Sequence, residues 1–88
     1  MKQTVNKLGE ILATNSLVLY LDKPYVITKL FRDRYGVLTA HITVVADIKY
    51  YDSDVVLSYT YDKNLIGRVV PAAKLVIFTK ARYKNKSN

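Results

Sequence analysis

The chain has no cysteine and no tryptophan, and it has only three glycines, two prolines and one histidine. Without cysteine it can form neither a disulfide framework nor a thiolate metal site, so a domain this small depends on packing, and on partners, for stability. No apolar run approaches the roughly 20 residues of a membrane-spanning helix, and residues 1–12 lack the apolar stretch of a secretory signal. We therefore expect a cytoplasmic protein that does not associate with a membrane.

Residues suited to catalysis are scarce. General acid–base chemistry usually employs histidine or glutamate, and the chain offers only His41 and Glu10, neither within a recognisable motif. Asp47, Asp52 and Asp54 are close in sequence, but they lack the pattern of a calcium loop, and no phosphate-binding glycine loop is present. Turn and strand-edge roles suit these aspartates better. We predict a protein that is not an enzyme and needs no metal ion or other cofactor.

Positive charge is concentrated in the last third of the chain. The formal net charge is +7, but residues 1–62 contain seven basic and seven acidic side chains and are neutral overall. Residues 63–88 contain seven basic side chains and no acidic one. This asymmetry indicates a polyanionic partner or an acidic protein surface, and a merely solubilising tail is the alternative.

The hydrophobic pattern favours a sheet. Half of the residues are hydrophobic, and they are chiefly valine, leucine, isoleucine and eight tyrosines. Polar turns separate short apolar runs, which predict strands over residues 17–21, 25–31, 37–50, 55–61, 65–70 and 74–83. Residues 2–13 fit either a strand paired in a hairpin with 17–21 or a short helix, and Gly9 favours the strand. The expected fold is an all-β, five- to seven-stranded antiparallel barrel of the SH3, Sm or OB kind.

One domain is expected over residues 1–83, followed by a basic tail over 84–88. The clearest alternation lies within 37–50, where the apolar residues occupy even positions from Leu38 to Tyr50. The length of that run predicts a single strand that bends strongly around the barrel.

The last predicted strand carries the main candidate binding residues. On an extended strand the even positions share one side, and these are Lys74, Val76, Phe78, Lys80, Arg82, Lys84 and Lys86. The odd positions would face the core, and these are Leu75, Ile77, Thr79 and Ala81. Alternate side chains lie about 6.6 Å apart, a spacing at which cations follow a phosphate backbone. Phe78 could stack on an unpaired base or cover the sheet.

A second basic group lies at a predicted strand end and its loop. It consists of Lys29, Arg32, Arg34 and Tyr35, with Asp33 partly neutralising it. Loops of small barrels commonly present binding contacts, so nucleic-acid contact and ordinary solvation are both open here.

Two segments resemble a known family. They are residues 7–12, Lys-Leu-Gly-Glu-Ile-Leu, followed by Leu17-Val18-Leu19-Tyr20, and residues 64–70, Asn-Leu-Ile-Gly-Arg-Val-Val. Together they resemble the small barrel subunit of the box H/ACA pseudouridylation ribonucleoprotein, in its short archaeal form. The resemblance implies a noncatalytic subunit that docks on the pseudouridine synthase, helps control its substrate-handling loop and makes little direct contact with guide RNA. The basic last strand would be an addition to the family pattern.

These observations predict a noncatalytic subunit of a ribonucleoprotein, bound to nucleic acid, RNA rather than DNA, and to a protein partner. One alternative is a viral or plasmid protein that coats single-stranded DNA. The other is a protein-interaction or assembly module whose basic tail serves solubility.

Overall fold

A computed structural model describes residues 4–65 and 67–84 of the chain. The strands are β1 (Leu17–Tyr20), β2 (Lys23–Arg32), β3 (Leu38–Val44), β4 (Ala46–Tyr50), β5 (Val56–Thr60), β6 (Arg68–Pro71) and β7 (Val76–Ile77). A 3-10 helix spans Ala72–Lys74, and one short helix, α1, spans Lys80–Lys84. The predicted all-β class is confirmed. In the described residues no helix is long and apolar enough to cross a membrane.

Five strands form one antiparallel sheet in the order β6-β3-β2-β1-β7, and β4 and β5 form a separate two-stranded sheet. The inner face of the large sheet carries the side chains of Ile27, Ala40, Ile42 and Val70, all of which are buried. They pack against residues outside the strands, among them Leu12, Ala72 and Leu75. Burial of these apolar side chains is the main favourable contribution to folding.

The prediction of one long strand over residues 37–50 is wrong, because the strand is interrupted at Val45. Val44 is exposed while Val45 is buried, so the even-numbered inward pattern is interrupted there. The Val45 N–H donates to the Pro24 carbonyl at 3.2 Å, and Asp47 adopts a positive φ of 54°. The second half of the run therefore leaves the large sheet and pairs with β5.

The predicted hairpin between residues 2–13 and 17–21 is also wrong over the part that the structure describes. Residues 4–12 form a loop that turns at residues 6–9, in which Val5 and Ile11 make one isolated bridge, and they form neither a regular strand nor a helix. Gly9 lies in this turn with φ of 78°. The strand β1 pairs instead with β2 and β7.

The sheet does not close into the predicted barrel. On its β7 side, side chains take the place of a further strand. The Leu75 carbonyl accepts a hydrogen bond from Asn6 Nδ2 at 3.1 Å, the Ile77 N–H donates to Glu10 Oε1 at 3.1 Å, and the Ile77 carbonyl accepts from Arg82 Nη1 at 2.6 Å. Backbone groups that would join strands in a barrel are thus satisfied by side chains.

The predicted last strand over residues 74–83 is reduced to Val76–Ile77. Lys74 ends the 3-10 helix, and Lys80, Arg82 and Lys84 belong to α1, so the predicted row of cations on one strand does not exist. Of the positions expected to face the core, Leu75 is buried and Ile77 is half-buried, whereas Thr79 and Ala81 are exposed.

Candidate functional site

Two of the predicted cations of the C-terminal segment are held by acidic side chains. Lys80 Nζ lies 2.7 Å from Asp54 Oδ1 and 4.7 Å from the centre of the Tyr50 ring. Arg82 Nη1 lies 3.0 Å from Glu10 Oε2. The hydrogen bond from Lys80, together with its charge, lowers the pKa of Asp54 below its ordinary value. These contacts compete with any phosphate for Lys80 and Arg82.

Phe78, the predicted base-stacking residue, is not available to a ligand. It is 6% exposed, and its ring lies between those of Tyr50 and Tyr83, with centroids at 6.5 and 5.4 Å. Of the other predicted cations in this segment, Lys74 and Lys84 are exposed, and Lys86 lies outside the described residues. The C-terminal site therefore loses its aromatic residue and its regular spacing.

Glu10 is the centre of a network of hydrogen bonds and one ion pair. Its carboxylate accepts hydrogen bonds from Asn6 Nδ2 at 2.8 Å and from the Ile77 N–H, and it pairs with Arg82. The Asn6 hydrogen bond, the Ile77 N–H and Arg82 together lower the pKa of Glu10, although partial burial opposes them. Asn6 is buried, and its Oδ1 accepts from the backbone N–H groups of residues 8 and 10.

The second predicted group is part of an ordered surface on the outer face of the large sheet. Strand register places His41 of β3 between Lys29 of β2 and Val69 of β6. The Phe31 and His41 rings lie 5.5 Å apart, and Lys29 Nζ lies 5.5 Å from the centre of the Phe31 ring. Neighbouring strands thus present an aromatic side chain, an imidazole and an ammonium group together.

The loop between β2 and β3 extends this surface. The Asp33 carboxylate accepts the backbone N–H groups of Tyr35 and Val37, both at 2.9 Å, which shapes the turn. Gly36 completes it with φ of 79°, a conformation that side-chain-bearing residues rarely adopt. Tyr35 is 77% exposed, and the Arg34 guanidinium lies 5.2 Å from the centre of its ring. The loop therefore holds an arginine and a tyrosine in solvent at the end of the hairpin.

Arg32 has a different role from its neighbours. Its Nη1 donates to the Gly36 carbonyl at 2.9 Å and so braces the loop. We define the outer sheet face as Lys29, Phe31, Arg34, Tyr35 and His41. The structure places Lys29 with Phe31 and His41 on the sheet, and it pairs Arg34 with Tyr35 on the adjoining loop.

A small groove adjoins the outer sheet face. It has a volume of about 250 Å³ and is lined in part by Thr28, His41, Lys63, Leu65 and Val69. Gly67 belongs to its wall, and a Cβ at that position would overlap the backbone carbonyl oxygen of Ile42. The segment that precedes β6 therefore approaches β3 so closely that only glycine fits at position 67.

Sequence reasoning did not assign a binding role to Phe31, which lies between Lys29 and Arg32 in the chain, or to His41, which lies on the next strand. The sequence did contain one relevant signal. Lys29 and Phe31 are two residues apart on one strand and so share a face, and His41 lies on the polar face of the next predicted strand. Register between the two strands was needed to combine them. Among the residues that the structure describes, no group of three or more His, Asp or Glu side chains could hold a metal ion.

Comparison with models of known protein families, with curated proteins and with solved structures finds no match. The resemblance to the H/ACA subunit therefore stays a prediction, and functional argument rests on the geometry of the chain.

Proposed function

We propose that this protein is a noncatalytic nucleic-acid-binding subunit of a ribonucleoprotein, and that its outer sheet face binds unpaired nucleotides of RNA. The observation that carries this proposal is the group formed by Phe31 and His41, with Lys29 beside them and Arg34 and Tyr35 on the adjoining loop. A cytoplasmic location is part of the same proposal.

Base stacking is the first part of the interaction. Unpaired bases expose flat faces, and aromatic side chains on a sheet or loop bind them without strong sequence preference. Tyr35 on the loop is mostly exposed, whereas Phe31 and His41 on the sheet are half-buried. The loop and the sheet therefore offer aromatic rings at different depths. Each stacked base contributes about 1–3 kcal/mol in comparable proteins.

Phosphate binding is the second part. Lys29 and Arg34 are exposed, and their described partners are aromatic rings rather than carboxylates. They differ in this from Lys80 and Arg82, which would have to leave Asp54 and Glu10 to bind a phosphate. A cation over a ring remains able to bind an anion from its solvent side.

The decisive experiment compares two charge-matched double variants. Lys29→Gln with Arg34→Gln removes two cations from the outer sheet face, and Lys23→Gln with Lys49→Gln removes two exposed cations elsewhere. Binding of a fluorescent oligouridylate is measured by anisotropy at several salt concentrations. We expect the first pair to flatten the salt dependence by about 0.7 per lost phosphate contact. Equal effects of both pairs would show that only net charge matters and would refute the proposed face.

Tyr35→Ala tests stacking separately from charge. Its ring is exposed, so the fold should be unchanged, while affinity should fall by about fivefold or more. Unchanged affinity would show that Tyr35 does not contact the nucleic acid.

The same titration with oligodeoxythymidylate of increasing length distinguishes the alternative of a DNA-coating protein. Tight, cooperative binding of DNA with no preference for RNA would favour that alternative over the ribonucleoprotein. A ribonucleoprotein subunit should bind free oligonucleotides weakly and gain specificity when its protein partner is present.

A further inference from the structure

The two edges of the large sheet differ in a way that bears on protein binding. At the β7 edge, the backbone groups of Leu75 and Ile77 are satisfied by Asn6, Glu10 and Arg82. At the opposite edge, β6 pairs with β3 on one side, and no strand in the described part of the chain pairs with its other side. The β6 edge is therefore the one that can accept another strand.

Cations flank β6 along the chain. Lys63 precedes the strand, Arg68 begins it and Lys74 follows it after the 3-10 helix. All three are exposed, and none forms an ion pair within residues 4–65 and 67–84. The edge therefore carries positive charge that the chain itself leaves uncompensated.

Apolar side chains lie between these cations. Val69 is 57% exposed and Leu65 is 48% exposed, and both line the groove of about 250 Å³ beside β6. A strand added to an edge places alternate side chains on the same face, so a small apolar side chain of the partner can enter this groove.

We propose that the β6 edge binds an extended protein segment in which acidic and apolar residues alternate, as an added antiparallel or parallel strand. Backbone hydrogen bonds to β6 would provide affinity, and Lys63, Arg68 and Lys74 would select the acidic side chains. A second copy of this chain is disfavoured, because its net charge is +7 and its own β6 edge carries the same cations.

The added-strand proposal does not rest on the nucleic-acid proposal, because it depends on the backbone of β6 and on different cations, although His41 of the outer sheet face also lines the groove. A strand edge offers alternating N–H and C=O groups that match another peptide backbone, whereas the phosphates of a nucleic acid are acceptors only. Pro71 lacks an N–H and ends β6, which limits the added strand to a short segment.

The test uses the full chain and an eight-residue peptide of alternating glutamate and valine, with its N-methylated form as a control that keeps the side chains but lacks backbone donors. We expect the unmodified peptide to bind, to shift the backbone NMR signals of β6 and to slow amide exchange at residues 68–70. The N-methylated peptide should bind at least tenfold more weakly. Equal binding of both peptides would reduce the interaction to charge and overturn the added-strand proposal.

A charge-reversal variant provides a second test of the same proposal. Arg68→Glu should weaken peptide binding at least tenfold, whereas Lys49→Glu, an exposed change of equal charge on β4, should have a much smaller effect. Absence of peptide binding, or oligouridylate shifting the β6 signals while the peptide does not, would also overturn the proposal. Loss of peptide binding in Arg68→Glu with oligouridylate binding retained would show that the two sites are separate.

Discussion

The network around Glu10 can be tested by replacing Glu10 with glutamine. Glu10→Gln keeps the shape of the side chain but removes the charge that pairs with Arg82 at 3.0 Å. It also replaces one carboxylate oxygen with an amide NH2 group beside Oε1, which now accepts hydrogen bonds from Asn6, Ile77 and Arg82. Those bonds join the N-terminal turn to the β7 edge and α1, which lie near the other end of the sequence.

The expected loss of stability follows from the number and exposure of these contacts. Hydrogen bonds to a charged group contribute about 1.5–3 kcal/mol, but the Glu10 and Arg82 side chains are 27% and 35% exposed, and solvent screens their attraction. Glutamine can still accept a hydrogen bond from the Ile77 N–H. We therefore expect the free energy of unfolding to fall by about 1–2 kcal/mol at neutral pH, and Tm by roughly 5–15 °C.

The dependence on pH provides the sharper criterion. The pKa of Glu10 is lower in the folded than in the unfolded chain, so its contribution is fully present above the unfolded pKa of about 4.3. It is lost as the pH falls through the folded pKa, because Glu10 becomes neutral like the glutamine. Urea denaturation followed by circular dichroism, from pH 7 downward, should show the two proteins converging in stability. Asp52→Asn, in an exposed turn, is the control. A stability difference that is absent at neutral pH, or constant across the range, would refute this account of the network.

Four other outcomes are expected. Ile42→Asp should abolish cooperative melting, because it places a charge at a fully buried core position. Gly67→Ala should lower the free energy of unfolding in urea by about 2 kcal/mol, because its Cβ would overlap a β3 carbonyl, and a wild-type midpoint would contradict that packing. Arg82→Gln should lower Tm while Lys74→Gln leaves it unchanged, since only Arg82 has an acidic partner; equal effects would mean that the ion pair contributes nothing. Burial raises the pKa of the Tyr50 phenol, so its stabilising effect is present below the unfolded pKa of about 10 and is lost as the pH rises through the folded pKa. Tyr50→Phe should therefore resist alkaline unfolding better than the wild type, as followed by circular dichroism, and an identical alkaline midpoint would count against this.

Several elements were predictable from local pattern. The strands expected over residues 17–21, 25–31 and 55–61 occur as Leu17–Tyr20, Lys23–Arg32 and Val56–Thr60. Each is a short apolar run between polar residues, and the intervening turns have strong local preferences. The structured loop that carries Arg34 and Tyr35 was also expected as an exposed loop, because Asp33 and Gly36 are typical turn residues.

The C-terminal segment could not be predicted in the same way. The run from Lys80 to Lys84 alternates cations with other residues, and such a run fits one side of a strand as well as an exposed helical turn. Arg82 resolves this ambiguity through Glu10, which is 72 positions away in the chain. Local sequence contains no information about that pairing.

By itself the sequence determined the all-β class, the position of most turns and the concentration of positive charge after residue 62, because each depends on residue type and local spacing. Tertiary structure alone decided which cations remain available, since Lys80 and Arg82 meet acids from distant segments while Lys29 and Arg34 meet aromatic rings. It also decided which sheet edge stays open, because sealing β7 required side chains from both ends of the chain to converge on one strand.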